Sequence, residues 1–426
     1  MGPDVRGRER TDPAPPRSPA QVRVALLALA LGGFAIGSTE FVALGLLPDI
    51  ARDLLPDAWA AGQDGAVAQA GALVSAYAAG VVVGAPVIAA IGARMPRKRL
   101  LLGLLIAFVL ATVATALLPS FGLVLAARFA AGLPHGAYFG IASLAAAELL
   151  GPGNRGRAAA SVLAGLTIAN VVGVPAITAV GQAAGWRAAY LVVAGAFALT
   201  FLAVRLVVPE GAADPHASVR GELGAFARPQ VWLAAGIGAI GFGGLFSAYT
   251  YVAPITTDVT GLPAAAVPAV LVVFGVGMTV GNLAGGRFAD RGTRRAVLVG
   301  LAAVALALTV LLVGAGSPVG LFLGVLLVGA SAAALSPAIQ LRLMDVAHGS
   351  TTIAAASTHS ALNLGNALGA AIGAVVIAAG WGLLAPIQVG IAMTLGGALI
   401  AAAAFLLERR GDARAARLAD PAGANA

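Results

Sequence analysis

Three ionisable side chains stand inside long apolar stretches: Glu40, Arg128 and His135. No charged residue lies between Val24 and Thr39, and Glu40 is followed at once by Phe41 and Val42. Arg128 is eight residues into the apolar run that starts at Phe121. His135 follows seven residues later, two helical turns on and so on the same face, and Phe139 continues that face. Burial opposes an ionised carboxyl and a nearby cation favours it. A carboxylate whose partner or water access alternates between two conformations binds a proton in one and releases it in the other. Glu40, Arg128 and His135 are therefore candidate proton-coupling residues. The same residues could instead form a static Glu40–Arg128 ion pair and a hydrogen-bonded packing histidine. No other carboxylate lies deep in an apolar stretch of the first half, since Asp49 and Glu148 fall at segment ends.

The elements that must position these residues follow from composition. The chain has 426 residues, 59% hydrophobic and 10% charged. An ordinary soluble domain carries about 25% charged residues, so this composition is that of a membrane protein. An ionisable group within a span costs about 2.5–3.5 kcal/mol, which marks such groups as functional. Crossing the bilayer takes about 20 apolar residues. Twelve segments qualify: 22–47, 67–91, 98–119, 121–149, 156–181, 186–208, 230–257, 264–288, 295–315, 317–346, 350–379 and 383–407. They are spans 1 to 12 below. Gly314 to Pro318 and Gly380 to Gly382 separate spans that share a charge-free run, because a connection must leave the hydrocarbon. Glu40 is eight residues before Pro48, about 12 Å from the outer end of span 1.

Charge distribution supports this count. Of 26 cations, 23 fall at the N-terminus, in the loops after spans 2, 4, 6, 8 and 10, and at the C-terminus. Cytoplasmic loops are the positive ones, so both termini are expected in the cytoplasm. Only Arg52 and Arg187 lie on the other side. There is no Cys, hence no disulfide or thiolate chemistry.

An internal repeat divides the chain. Val81 to Gly103, "VVVGAPVIAAIGARMPRKRLLLG", aligns without a gap on Met278 to Gly300, "MTVGNLAGGRFADRGTRRAVLVG". Arg94/Arg291, Arg97/Arg294 and Gly103/Gly300 are identical pairs, and Gly185-Trp186 is echoed by Gly380-Trp381. The expected fold is an all-α membrane protein of twelve spans in two six-helix pseudo-symmetric halves. A disordered arm over 1–20 precedes the N-terminal half at 21–208. A linker over 209–229, the C-terminal half at 230–407 and a tail over 408–426 follow. Small residues recur every four positions in spans 2, 5, 8 and 11, as in Gly277, Gly281 and Gly285. Such stripes let helices approach closely in lipid, and here they suggest that these four spans form the contact between halves. A chain this rich in Ala and Gly also throws up such stripes by chance.

Together these segments resemble the major facilitator superfamily, and within it the twelve-span drug:proton antiporters. Gly92-Ala-Arg-Met-Pro-Arg-Lys-Arg99 and Gly286-Arg-Phe-Ala-Asp-Arg-Gly-Thr-Arg-Arg295 resemble its loop signature and the second-half copy. "RFAAGLPHG", from Arg128, resembles the span 4 motif. "ANVVGVPAITAVGQAAGWR" resembles the span 5 antiporter motif. "GSTEFVALGLLP" resembles span 1 of the subset holding chloramphenicol, sugar, purine and nucleoside exporters. One departure is Ala93, where the loop signature carries an Asp that the second half keeps as Asp290. The gating ion pair usual for that Asp cannot form in the first half.

The resemblance implies a bacterial cytoplasmic-membrane exporter. It would move a small organic compound, of drug type, against protons by alternating access. Export of a sugar, purine or nucleoside by the same machinery is the alternative. A polytopic receptor or enzyme is remote, because no nucleophile elbow, zinc-helix or nucleotide-binding loop motif is present. Arg94, Arg97, Lys98, Asp290, Arg291, Arg294 and Arg295 are the expected gating loops, or else only topology anchors. Gly165, Gly173, Pro175 and Gly181 carry the span 5 motif. Phe139, Asn170, Phe242, Phe246, Tyr249 and Gln340 are the candidate substrate cavity. The three span 7 aromatics share a face that could equally pack against lipid. Asn282, Asn363 and Asn366 need partners that sequence does not identify. His359, beside the span 11 stripe, reads as structural. No cofactor, metal or nucleic acid is expected, and the protein should act as a monomer among membrane lipids.

Overall fold

The computed structural model describes residues 18–92, 95–151, 154–210, 228–347 and 351–419. Among them the chain is helical, with no strand. Eleven helices are long and apolar enough to cross a bilayer. The twelfth crossing, span 4, is made of two pieces, Phe121–Gly132 and His135–Leu150. Neither piece is long enough alone. Pro134 lacks an N–H and its ring crowds the preceding turn, so the hydrogen-bond ladder is interrupted at Leu133-Pro134, although both residues keep helical dihedrals.

Span 1 is a single helix, Pro19–Leu54. Its start is capped reciprocally: Ser18 Oγ accepts from the Gln21 N–H at 3.3 Å, and Gln21 Oε1 accepts from the Ser18 N–H at 3.0 Å. Span 2 joins Gln63–Ala70 to Ala72–Gly92, span 3 is Arg97–Leu117 and span 6 is Trp186–Val207. Span 5 passes from Arg155–Ile168 through a π-helical turn, Ala169–Gly173, to Val174–Ala184. Span 7 passes from Pro229–Gly236 through a second π-helical turn, Ile237–Phe242, to Gly243–Tyr249. Spans 8 to 12 are Val267–Asp290, Thr293–Gly314, Pro318–Ala347, Thr351–Ala378 and Ala385–Ala419. Most of the expected arm and linker lies outside the described residues.

Spans 1 to 6 enclose one core, in which Phe108 stacks on Phe197 with ring centres 4.4 Å apart. The core of spans 7 to 12 also takes in Leu44, Leu47 and Ala51 of span 1 and Ala66, Val67 and Ala70 of span 2. These lie toward the face remote from the termini, the far face. The halves therefore share an apolar cluster there. In lipid such contacts are held by close packing rather than by exclusion of water.

The four striped spans do form contacts between halves, as expected, but the glycines of the stripes mostly face spans of their own half. They join spans within each half. A Cβ at Gly80 or Gly84 of span 2 would strike the span 4 backbone at Phe129 or Leu133. Gly165 and Gly173 of span 5 lie against Ala30 and Phe34 of span 1. The second half repeats both pairings: Gly281 and Gly285 of span 8 face Ala330 and Ala334 of span 10, and Gly369 of span 11 faces Gly243 of span 7. The four striped spans do meet across the halves, span 2 with 11 and span 5 with 8, but through other residues. Ser75 Oγ donates to the Ala367 carbonyl at 3.0 Å, and Gly275 lies against the backbone of Asn170. Backbone-to-backbone crossings thus recur within each half, and Gly275 against Asn170 makes one between the halves.

Candidate functional site

Span 1 places Thr39 and Glu40 side by side at the centre of the molecule, where both are buried. Arg128, 1% exposed, reaches them from the first piece of span 4. It does not pair with the carboxylate. Its Nη1 donates to the Thr39 carbonyl at 3.0 Å and to Thr39 Oγ1 at 3.3 Å. Its guanidinium carbon lies 4.4 Å from the ring centre of Tyr77 and 5.5 Å from that of Tyr190. Two aromatic faces thus hold a cation that aqueous solvent does not reach. Nε and Nη2 have no hydrogen-bond partner among the described residues.

Glu40, 6% exposed, receives its hydrogen bond from the other half. Asn366 Nδ2, on span 11, donates to Glu40 Oε1 at 3.5 Å. The carboxyl therefore sits on the surface between halves, with a fixed cation close by.

His135 begins the second piece of span 4, just past the break. Its Nδ1 lies 3.0 Å from the Tyr77 hydroxyl, which donates when Nδ1 carries no proton. Tyr77 thereby touches both Arg128 and His135. His359 of span 11 completes the group: its ring lies parallel to Phe139 (centres 5.6 Å apart, 3° between planes) and 6.4 Å from His135. His135 and Phe139 are themselves 5.4 Å apart.

Other candidate residues divide by location. Phe246 stacks on Phe41 of span 1 across the halves, at 6.4 Å and 2° between planes, with Phe242 edge-on to it. Tyr249 instead stacks on Phe274 at 3.7 Å and lines a small apolar cavity inside the second half. The π-helical turn ends at Phe242 and the helix to Tyr249 is regular, but Phe246 turns to Phe41 of the other half while Tyr249 turns to Phe274 of its own, so the three aromatics do not form one wall. Asn170 is buried on the π-helical turn of span 5, Gln340 is half-buried and Asn282 is exposed. Gly165, Gly173 and Gly181 face span 1, and Pro175 is buried beside them.

The gating-loop residues lie at the terminal face. Arg97 pairs with Glu148. Lys98 is half-buried, and Arg291 and Arg295 are exposed. Arg94 and the side chain of Asp290 lie outside the described residues. Arg294 pairs with Glu408 at 3.2 Å. Glu408 also holds Arg342, which is 4% exposed, at 3.0 Å, and Gln230 Oε1 accepts from Arg342 at 3.0 Å. On the far face, Asp53 accepts from Trp186 Nε1 at 3.0 Å and pairs with Arg187.

Sequence reasoning missed Tyr77, Tyr190 and Arg342, and it read His359 as structural without identifying its neighbours. The available signal was periodicity: His359, Asn363 and Asn366 fall at i, i+4 and i+7 of span 11 and so share a face. Among the described residues no group of three or more His, Cys, Asp or Glu could hold a metal.

The family model described as Major Facilitator Superfamily matches residues 29–358 and 260–424. The Inner membrane transport protein YdhP of Escherichia coli (strain K12) is 37% identical, over 91% of this chain and 95% of that one. The Chloramphenicol resistance protein of Streptomyces lividans is 34% identical, over 85% and 91%. Among solved structures, a D-xylose-proton symporter superposes with a TM-score of 0.73 at 15% identity, covering 89% of this chain and 97% of that one. The human organic anion transporter MFSD10 superposes with a TM-score of 0.65 at 18% identity, covering 90% and 100%.

Proposed function

Because the chain belongs to the major facilitator superfamily, we propose that this multi-pass membrane transporter exports a small organic compound of drug type in exchange for protons. The halves rock about a central site, which opens alternately to each face. The charge bias supports a cytoplasmic terminal face. Similarity to a chloramphenicol resistance protein supports the drug class, as do the aromatic rings of Phe41 and Phe246 at the surface between halves.

One observation carries the coupling role: Glu40 bonds across the halves to Asn366 while Arg128 is held on Thr39. A static ion pair would use Arg128's free donors on Glu40, and here it does not. Rocking breaks the Asn366 bond, which changes what the carboxylate meets. Arg128 then favours its ionised form whenever the two approach. Substrate that favours proton release is, by reciprocity, expelled by proton binding.

Proton release on substrate addition to detergent-solubilised protein tests this, with chloramphenicol and a drug panel as probes. Glu40→Gln should insert, lose that release and lose uphill export. Glu40→Asp should keep part of both at a shifted pH optimum. If Glu40→Gln releases as many protons per substrate as the parent, the carboxylate is structural. Competition by sugars or nucleosides, with no response to drugs, would move the substrate to a metabolite.

A further inference from the structure

Span 11 touches the first half with two polar side chains from one face. Asn366 meets Glu40. His359 meets His135, and the proton-exchange mechanism above makes no use of that contact.

We propose that His135 and His359 form a proton-operated latch between the halves, closed while the two rings share at most one proton and opened when both are protonated. The proposal rests on the proton-exchange reading for its place in a transport cycle. Its geometry stands apart from that reading.

Depth is the first argument. Span 4 starts at Phe121 on the far face, and His135 is 14 residues further, about 21 Å in. Span 11 starts at Thr351 on the terminal face, and His359 is eight residues further, about 12 Å in. His359 therefore lies on the terminal side of the centre, and His135, 14 residues from one end of span 4 and 15 from the other, meets it from mid-depth. The far side is closed by the shared apolar cluster, which does not titrate. Among the described residues, the terminal-side closure is the one that contains imidazoles.

Surroundings are the second argument. From span 2 the Tyr77 hydroxyl faces His135. From span 4 the Arg128 cation lies over the other side of Tyr77. Glu40 of span 1 and Tyr190 of span 6 lie within electrostatic reach of Tyr77. From span 11 come His359 and Asn363, whose amide donates to the His359 carbonyl at 3.0 Å. His359 runs parallel to Phe139 in an offset stack, and an aromatic ring is the surface nearby that a single imidazolium can use. A second proton puts two cations with ring centres 6.4 Å apart, in a setting that already holds Arg128. The low dielectric strengthens their repulsion. Because the rings belong to different halves, separating the halves relieves it. Protons arriving from the far side would then open the terminal side. Their loss there would let the rings meet again.

The test uses the absence of native cysteine. Ala160 of span 5 and Met344 of span 10 are exposed near the terminal face, one on each half. Spin labels on Ala160→Cys and Met344→Cys report their separation by pulsed electron resonance, without substrate, across a series from about pH 8 to about pH 4, which extends below the range of free imidazole. Acidification should shift the parent from the short to the long distance. His359→Gln and His135→Gln should each lose most of that shift, and Glu40→Gln should reduce it without abolishing it. Using one variant on each half guards against misfolding of either. No shift in the parent, an unchanged shift in either histidine variant, or its complete loss in Glu40→Gln would overturn the latch. If proton release proves independent of Glu40 while the histidine-dependent shift persists, the exchange reading falls and the latch stands.

Discussion

Removing the Glu408 carboxylate should cost far more than removing the more exposed of its two partners. Arg342 is 4% exposed and is held by Glu408 at 3.0 Å and by one neutral acceptor, Gln230. Leaving a buried charge unpaired costs about 3–5 kcal/mol. Glu408 is 27% exposed, so water replaces part of what it supplies, and the expected loss for Glu408→Ala is about 2–3 kcal/mol. That is a factor of roughly 30–150 in the folded ratio. Arg294 is 42% exposed, so Arg294→Ala should cost less than about 1 kcal/mol. Unfolding by denaturant in detergent micelles, followed by tryptophan fluorescence, measures both. Adding Arg342→Met to Glu408→Ala should recover most of the loss, because an apolar side chain needs no acceptor. Equal losses for Glu408→Ala and Arg294→Ala, or no recovery in the double variant, would refute this account of the cluster.

Two further outcomes test the gating loop and the topology. Replacing Arg94, Arg97 and Lys98 together with Gln should slow transport with little change in substrate affinity, because the Arg97–Glu148 pair ties span 3 to span 4 at the terminal face. Normal turnover in correctly inserted protein would reduce these cations to topology anchors. In intact cells an impermeant thiol reagent should label Gly62→Cys and spare Pro215→Cys, and the opposite pattern would invert the assigned orientation.

Crossings were legible in the sequence because apolar length and loop charge constrain them directly. Span 4 shows the limit. Its 121–149 stretch reads as one apolar run, yet Pro134 divides it, and hydropathy does not register a missing N–H. The glycine stripes were visible, but their partners were not, because a repeat every four residues fixes a face and not what that face meets. Glu40, Arg128 and His135 stood out as charges in apolar runs. Their partners came from long range: Tyr77, Tyr190, Asn366 and His359 are unremarkable until folding gathers them. Arg342 was counted as a loop cation because it lies near the end of its span, and only packing against spans 7 and 12 buries it.

The break in span 4 also bears on how the chain enters the membrane. Its pieces are 12 and 16 residues long, and the shorter one carries Arg128. Partitioning from the translocon is penalised by about 2.5–3.5 kcal/mol for an arginine at mid-depth. This segment is thus a poor candidate to enter lipid unaided. The groups that receive its guanidinium, the Thr39 carbonyl and the Tyr77 ring, belong to spans made earlier. Biogenesis therefore has an order built into it: spans 1 and 2 must still be close by when span 4 emerges. A chain that lost Thr39 or Tyr77 to lipid would strand its fourth segment at the surface.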